Sequence, residues 1–180
     1  MKYWTREQYE AFSKNIQKSA TKLAFDLLFY TGMRSGELLA LTPADILPDR
    51  RISINKNYAK VKGEELIPKT AKSCRNIAIP DFLYDDIFEY ISKLGGIEKD
   101  DRIFYFTKSA LEKEIKRVAE KAGLPDIRVH DLRHSYASMP IDMGFDILEI
   151  SERLGHESAK TTLDTYSHLY PEKDTKLAGH

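Results

Sequence analysis

Val129-His130-Asp131-Leu132-Arg133-His134, followed by Leu154-Gly155-His156 and then Tyr166, is the stretch on which the reading of this chain turns. On a helix His130 and Arg133 stand three residues apart and share a face. An arginine there can fork two donors onto a phosphate, and a histidine can give or take a proton near neutral pH. His156 adds a further donor, and the Tyr166 hydroxyl can attack phosphorus. Together these are the parts of a phosphoryl-transfer site that uses neither a metal nor a nucleotide. Two other readings stay open at this point. The residues can be ordinary surface or cap positions. Alternatively, His130, Asp131 and His134 can be metal ligands, because His-x-x-x-His places two imidazoles on one helical face.

Working outward, the pattern predicts a helix from about His130 to Met143, with Pro140 able to kink or shorten it. Asp146 with Glu149 predicts a cap for a short helix reaching Leu154, and Ser158 or Thr161 begins the helix that carries Tyr166. Upstream, Ser109 and Glu112 form a candidate capping box for a helix ending at Gly123, with Pro125 just beyond. At the start, Thr5 and Gln8 predict a capped amphipathic helix to about Asn15. Leu23 to Tyr30 is apolar almost all round, as a core helix is, and Gly32 ends it. Thr42-Pro43 punctuates a short helix carrying Arg34, Glu37 and Leu38.

The middle of the chain changes period. Arg51-Ile52-Ser53-Ile54-Asn55 alternates, and so, less strictly, does Arg75-Asn76-Ile77-Ala78-Ile79. Glu65-Leu66-Ile67-Pro68 is placed between them as a third short strand, with Lys62-Gly63 as a turn, which predicts a small antiparallel three-stranded sheet. An acidic amphipathic helix follows from Asp81 to Leu94. The fold class expected is therefore α+β, mainly helical.

At 180 residues the chain reads as one domain with a core of its own, and a 42% hydrophobic share against 31% charged residues matches a water-soluble globular protein. No apolar run approaches the length of a membrane span, and the first residues do not read as a signal peptide. Cys74 is the single cysteine, which excludes an internal disulfide framework and points to a reducing cytosol. The formal net charge is +0, but it is unevenly spread. Arg51, Lys56, Lys60, Lys62, Lys69, Lys72 and Arg75 crowd one stretch, and Asp81, Asp85, Asp86, Glu89, Glu98, Asp100 and Asp101 the next. Such asymmetry permits one DNA-facing surface and one solvated surface.

Two further segments complete the candidate site. Arg34 lies in Thr31-Gly32-Met33-Arg34-Ser35-Gly36-Glu37-Leu38, where glycines on either side can let the backbone approach a phosphate and Glu37 can hold the guanidinium. The plain alternative is a surface Arg–Glu pair at helical spacing. Lys72, in Lys69-Thr70-Ala71-Lys72-Ser73-Cys74-Arg75, is either a solvated turn lysine or a groove-entering proton donor.

Taken in order, these segments resemble the catalytic domain of the tyrosine recombinases, in particular phage and transposon integrases. The resemblance runs from about Trp4 to Glu172, through the Arg34 segment, His130-Asp131-Leu132-Arg133-His134-Ser135, Ser151-Glu152-Arg153-Leu154-Gly155-His156 and Thr162-Leu163-Asp164-Thr165-Tyr166-Ser167-His168. It implies that Arg34 and Arg133 clamp the scissile phosphate and that Lys72 protonates the departing 5′-oxygen. His130 would assist proton transfer or hold a phosphate oxygen, and His156 would donate to the phosphate. Tyr166 would attack, leaving a 3′-phosphotyrosine and a free 5′-hydroxyl, with no cofactor required. Glu37, Asp131 and His134 are expected as supporting residues, the last through packing or bracing.

The resemblance further implies double-stranded DNA as partner and a homotetramer when two duplexes are exchanged, with a monomer expected for the isolated piece. Residues 1–180 are expected to be a single catalytic domain with a short tail at 167–180. Family members usually carry core-binding and arm-binding domains N-terminal to it, so the chain is expected to be a fragment. The expected compartment is cytoplasmic. A type IB topoisomerase, sharing the tyrosine chemistry, and a non-catalytic DNA-binding module are the alternatives.

Overall fold

Two of the helix boundaries explain themselves from side-chain chemistry, and they set the frame of the molecule. The computed structural model describes residues 1–59, 64–66 and 71–170, excepting the side chains of Ala59, Glu64, Glu65, Leu66 and Lys72. Helix α1 (Arg6–Lys14) opens on a reciprocal capping box, the Thr5 hydroxyl accepting from the Gln8 N–H at 3.2 Å and the Gln8 side chain from the Thr5 N–H at 2.9 Å. Helix α2 (Ser19–Thr31), apolar on nearly every side, runs through the core and stops at Gly32. Gly32 adopts φ 68°, and a Cβ there would lie 2.4 Å from Tyr136 Cδ1. The residue must therefore be glycine both to turn the chain and to admit a later helix.

After the short helix α3 (Ser35–Leu39) the chain enters the β region, with β1 (Ile46–Leu47), β2 (Arg51–Ile54), β3 (Asn57–Ala59), β4 (Glu64–Leu66) and β5 (Arg75–Ala78). The expected three-stranded antiparallel sheet is present, but its membership differs from the sequence reading. Its order is β1-β2-β5, and the segment expected as the third strand, Glu65-Leu66-Ile67-Pro68, overlaps β4, which pairs instead with Asn57–Ala59 in a separate two-stranded sheet. The edge place goes to Ile46–Leu47, which folds back through Arg50 at φ 61° so that Ile46 lies opposite Ile52. Both isoleucines are buried. Burial of that pair decides the register, and two residues are too few to show a period. The proposed Lys62-Gly63 turn and Ile67-Pro68 lie outside the described residues.

Helices α4 (Asp81–Lys93), α5 (Lys108–Lys121), α6 (Asp131–Asp142), α7 (Ile147–Leu154) and α8 (Ala159–Tyr166) make up the rest. The α5 start differs from expectation: Thr107 is the N-cap, accepting from the Ala110 N–H. Glu112 is not a cap residue but accepts from the Val129 N–H, tying α5 to the start of α6. Pro140 lies inside α6 without ending it: the helix runs on to Asp142, and the proline in its last turn forgoes only the one hydrogen bond its own N–H would have made. The Asp146 cap is as read, its carboxylate accepting from the Leu148 N–H at 3.0 Å.

Helices α2 and α6 pack together at the centre. Trp4, fully buried, pins the N-terminal segment to them through its N–H on the Ser135 hydroxyl (2.9 Å) and its indole N–H on the Pro125 carbonyl (3.0 Å). A smaller apolar cluster of Tyr136, Ala137, Ile141, Ile150, Leu154 and Tyr166 joins α6, α7 and α8. The ends of α2, α7 and α8 therefore converge on the first turns of α6. No helix among the described residues is long and apolar enough to cross a membrane.

Candidate active site

Arg133 organises the convergence. It lies on the first turn of α6, 3% exposed, and donates through Nη1 to the Gly32 carbonyl and through Nη2 to the Leu154 carbonyl, each at 2.6 Å. Both acceptors are at helix C-termini, where carbonyls lack intrahelical partners and the helix dipole is negative. One guanidinium thereby fixes the segment leading into Arg34 to the segment leading into His156. Burial and the nearby Arg34 cation lower the Arg133 pKa, and Glu37 opposes them. Arginine's intrinsic basicity keeps it charged, with donors to spare for an anion.

Arg34 stands at the N-cap of α3 and is the more exposed of the two, at 41% of its side chain. Its N–H donates to Glu37 at 2.9 Å, and its guanidinium is 3.4 Å from the same carboxylate. Glu37 was expected to hold Arg34, and it does so weakly. Its stronger partner is Arg75, which donates to both carboxylate oxygens at 3.1 and 3.0 Å. Burial would raise the Glu37 pKa, but the hydrogen bonds and charge of Arg75, with Arg34 behind, leave it lowered. The glycines flanking Arg34 do not open the backbone to a ligand. Gly32 makes room for Tyr136, and a Cβ on Gly36 would lie 2.0 Å from the Asn57 side chain. Their purpose is packing.

Arg75 is the residue the sequence reading missed as part of the site. Besides Glu37 it reaches the Ser73 carbonyl (2.9 Å) and the Arg153 carbonyl (2.8 Å). It also lies against Gly155, where a Cβ would come within 2.6 Å of Nη1. Gly155 has φ 70°, a second reason for glycine there. Arg75 thus joins the Arg34 helix, the turn of Lys72 and the approach to His156. Lys72 itself lies in the 3-10 turn Ala71–Ser73, and its side chain is outside the described residues. Among the other basic residues of that stretch, Arg51 pairs with Asp49 and Lys56 with Asp45. The stretch is therefore less free than its composition implied.

The remaining residues form an imidazole–phenol group. His156 follows α7, its Nδ1 2.6 Å from the buried Thr162 hydroxyl on α8. Burial, then Arg133, Arg34 and Arg75, push its pKa down to about 4, so it is neutral at pH 7. Tyr166 ends α8, 1% exposed, and burial pushes its pKa up to about 12 against the pull of Arg133 and Arg34. Its hydroxyl lies 2.8 Å from His134 Nδ1, a contact closer than the packing role expected of that histidine. His130, at the N-cap of α6, meets the His134 ring edge-on at 5.3 Å. Burial, Arg133 and Arg34 lower its pKa too. Asp131 accepts from the Arg128 N–H and guanidinium, and lies 4.0 Å from His134 Nε2.

This geometry bears on the metal reading. His134 turns one nitrogen to Tyr166, and Asp131 is engaged by Arg128. No group of three or more His, Cys, Asp or Glu among the described residues is placed to hold a metal ion. Arg34, Arg133, His130, His134, His156 and Tyr166 come together, with Glu37 and Asp131 behind them.

Residues 2–173 match the model of the phage integrase family. The chain is 34% identical to the ICEBs1 integrase of Bacillus subtilis strain 168, over 99% of this chain and 53% of that protein. It is 31% identical to the integrase of Staphylococcus phage L54a, over 86% and 49%. It thus spans about half the length of these relatives. In fold it resembles the Tn1549 transposon integrase solved with transposon right end DNA, at TM-score 0.84 and 21% identity, over 99% of this chain and 64% of that one. The catalytic domain of bacteriophage HP1 integrase gives TM-score 0.66 and 21% identity, over 99% and 94%. The family match takes in every segment that meets at Arg133, and the chain belongs to the phage integrase family.

Proposed function

We propose that the chain is the catalytic part of a site-specific recombinase that cuts and rejoins double-stranded DNA through a 3′-phosphotyrosine at Tyr166. The observation that carries this is the Arg133 staple, which joins the Arg34 and His156 segments around one cationic centre, with Tyr166 set beside it by its contact with His134 on the same helix as Arg133. Arg34 and Arg133 hold the non-bridging oxygens and offset the charge that builds as phosphorus becomes five-coordinate. His156, with Thr162 donating to Nδ1, carries its proton on Nε2 and offers that N–H to the phosphate. His130 holds another oxygen or assists proton transfer. Lys72 protonates the departing 5′-oxygen, a role that rests on the family resemblance alone.

Attack forms the Tyr166 Oη–P bond as the P–O5′ bond breaks. The 5′-hydroxyl of a partner strand then reverses the step, so the phosphodiester energy is kept in the covalent intermediate. Guanidinium and imidazole groups supply the charge stabilisation for which many phosphoryl-transfer enzymes use a metal. Exchange between two duplexes cuts four strands, so the working unit is a homotetramer acting where the DNA lies, in the cytoplasm of a bacterial host. Residues 1–180 form one catalytic domain in this reading, supported by the near-complete overlap with the HP1 catalytic domain.

The test uses full-length protein, two labelled duplexes spanning the ends of the genetic element that encodes it, and chelator throughout. Recombinant products lost in Tyr166→Phe support the proposal. Relaxation of supercoiled DNA without exchange supports the topoisomerase alternative, and DNA binding with neither reaction supports a binding module.

A further inference from the structure

A phenol whose pKa is pushed up to about 12 is a poor nucleophile at neutral pH until something takes its proton. Arg133 and Arg34 stabilise the resulting anion but, being cations, cannot accept the proton. Among the described residues, three imidazoles and two carboxylates surround the site, and one of the carboxylates, Glu37, is engaged by Arg75 and Arg34. His156 Nδ1 is occupied by Thr162. His130 touches the His134 ring, while the Asp131 carboxylate is engaged by Arg128. His134 Nδ1 lies 2.8 Å from the Tyr166 hydroxyl, and the two rings meet at 5.6 Å.

We propose that His134 is a catalytic residue, the base that takes the proton from Tyr166 during attack, and that Asp131 positions it by favouring the N–H on the opposite ring nitrogen. The inference rests on the recombinase reading above and adds to it the route of the nucleophile's proton. Asp131 Oδ1 is 4.0 Å from His134 Nε2, a Coulombic contact rather than a hydrogen bond. An ionised carboxylate on that side favours the Nε2–H tautomer and leaves the Nδ1 lone pair for the phenol. Arg128 holds the carboxylate ionised: burial would raise its pKa, and the Arg128 hydrogen bonds and charge bring it below the usual range. Burial, His130 and Arg133 lower the His134 pKa, so the imidazole begins neutral and able to accept.

The step balances. The Tyr166 O–H bond breaks and its proton passes to His134 Nδ1. The Oη–P bond forms, the P–O5′ bond breaks, and the 5′-oxygen receives its proton from a separate acid, Lys72 in the reading above. On rejoining, the imidazolium returns its proton to the departing tyrosine oxygen. Asp131 touches no reacting atom and acts only through the imidazole.

The test is single-turnover covalent adduct formation by full-length protein on a nicked duplex bearing the element's end. It is run with tyrosine and with a fluorotyrosine of lower pKa at position 166. His134→Ala removes the base. His134→Asn keeps a polar atom at the place of Nδ1 without its basicity and serves if the alanine variant does not fold. With ordinary tyrosine both variants are expected to lose about a hundredfold or more in rate, as removal of a general base does. Fluorotyrosine should restore most of that loss while changing the parent protein little. Adduct formation by the variants at the parental rate would overturn the proposal. So would a loss that fluorotyrosine leaves untouched, because that is the mark of a structural role. Absence of any adduct in the parent protein would instead remove the recombinase reading itself.

Discussion

Arg34, Glu37, Arg75 and Arg133 on one side of the site, and His130, His134, His156 and Tyr166 on the other, are held by different kinds of bond. Arg133 and Arg75 are fixed by helix-end and turn carbonyls and by one buried carboxylate, contacts that do not titrate near neutrality. His134, His156 and Tyr166 are fixed by single hydrogen bonds and His130 meets the His134 ring, and each has a pKa displaced by burial. The first side keeps its charge and geometry near neutral pH, as the phosphate clamp proposed for it must. The second keeps its groups neutral and adjacent, as proton transfer requires. Four perturbations separate the two sides.

The largest effect is expected at the Arg75–Glu37 pair, whose side chains are 7% and 3% exposed. Arg75→Met should destabilise the protein by about 3–5 kcal/mol, because it leaves a buried carboxylate with Arg34 as its weak remaining partner. Denaturant unfolding checks this, and adding Glu37→Gln should recover part of the loss. Next, Arg133→Lys keeps the charge but loses the fork that spans two carbonyls. Adduct formation on a nicked duplex should fall by about a hundredfold to a thousandfold, or roughly 3–4 kcal/mol on the barrier. Gly155→Ala forces a left-handed backbone on alanine and presses its Cβ against Arg75. A cost of about 1–3 kcal/mol in unfolding free energy is expected, with partial relief in an Arg75→Met background.

The smallest effect concerns pH, and its sign follows from the direction of each shift. His156 has a folded pKa lowered from 6.5 to about 4, so its contribution is present above 6.5 and is lost as pH falls toward 4. Glu37, also lowered, contributes above the ordinary glutamate range and loses that only as pH falls through its depressed value. The imidazole side should therefore weaken first. Urea midpoints measured from pH 6.5 to 4 should decline less in His156→Gln than in the parent protein, and parallel declines would contradict the assignment.

Much of this was legible locally. Gly32, Asp146 and the Thr5–Gln8 box set helix ends by backbone and cap chemistry that needs no distant partner. The His130–Arg133 spacing placed both residues at the start of one helix. What escaped depends on distant partners. Arg75 meets Glu37 38 positions away, and His134 meets Tyr166 32 positions away. Arg75 still left a trace: in Arg75-Asn76-Ile77-Ala78-Ile79 it shares the strand face of two buried isoleucines, so alternation already placed a charge inward. An inward charge requires a buried counter-charge, and Glu37 is it. The two-residue strand Ile46–Leu47 left none, so the third place in the sheet went to Glu65-Leu66-Ile67-Pro68, the apolar stretch between the two alternating segments.

The central claim, that Tyr166 attacks phosphorus within a metal-free cationic site, is tested most directly by locating the covalent bond. Full-length protein is incubated with a nicked duplex in chelator, the adduct is digested, and the modified peptide is sequenced by mass spectrometry. The account predicts a nucleotide joined through its 3′-phosphate to Tyr166 and no adduct in Tyr166→Phe. An adduct on another residue, or cleavage that requires a divalent metal and leaves no protein on the DNA, would contradict it.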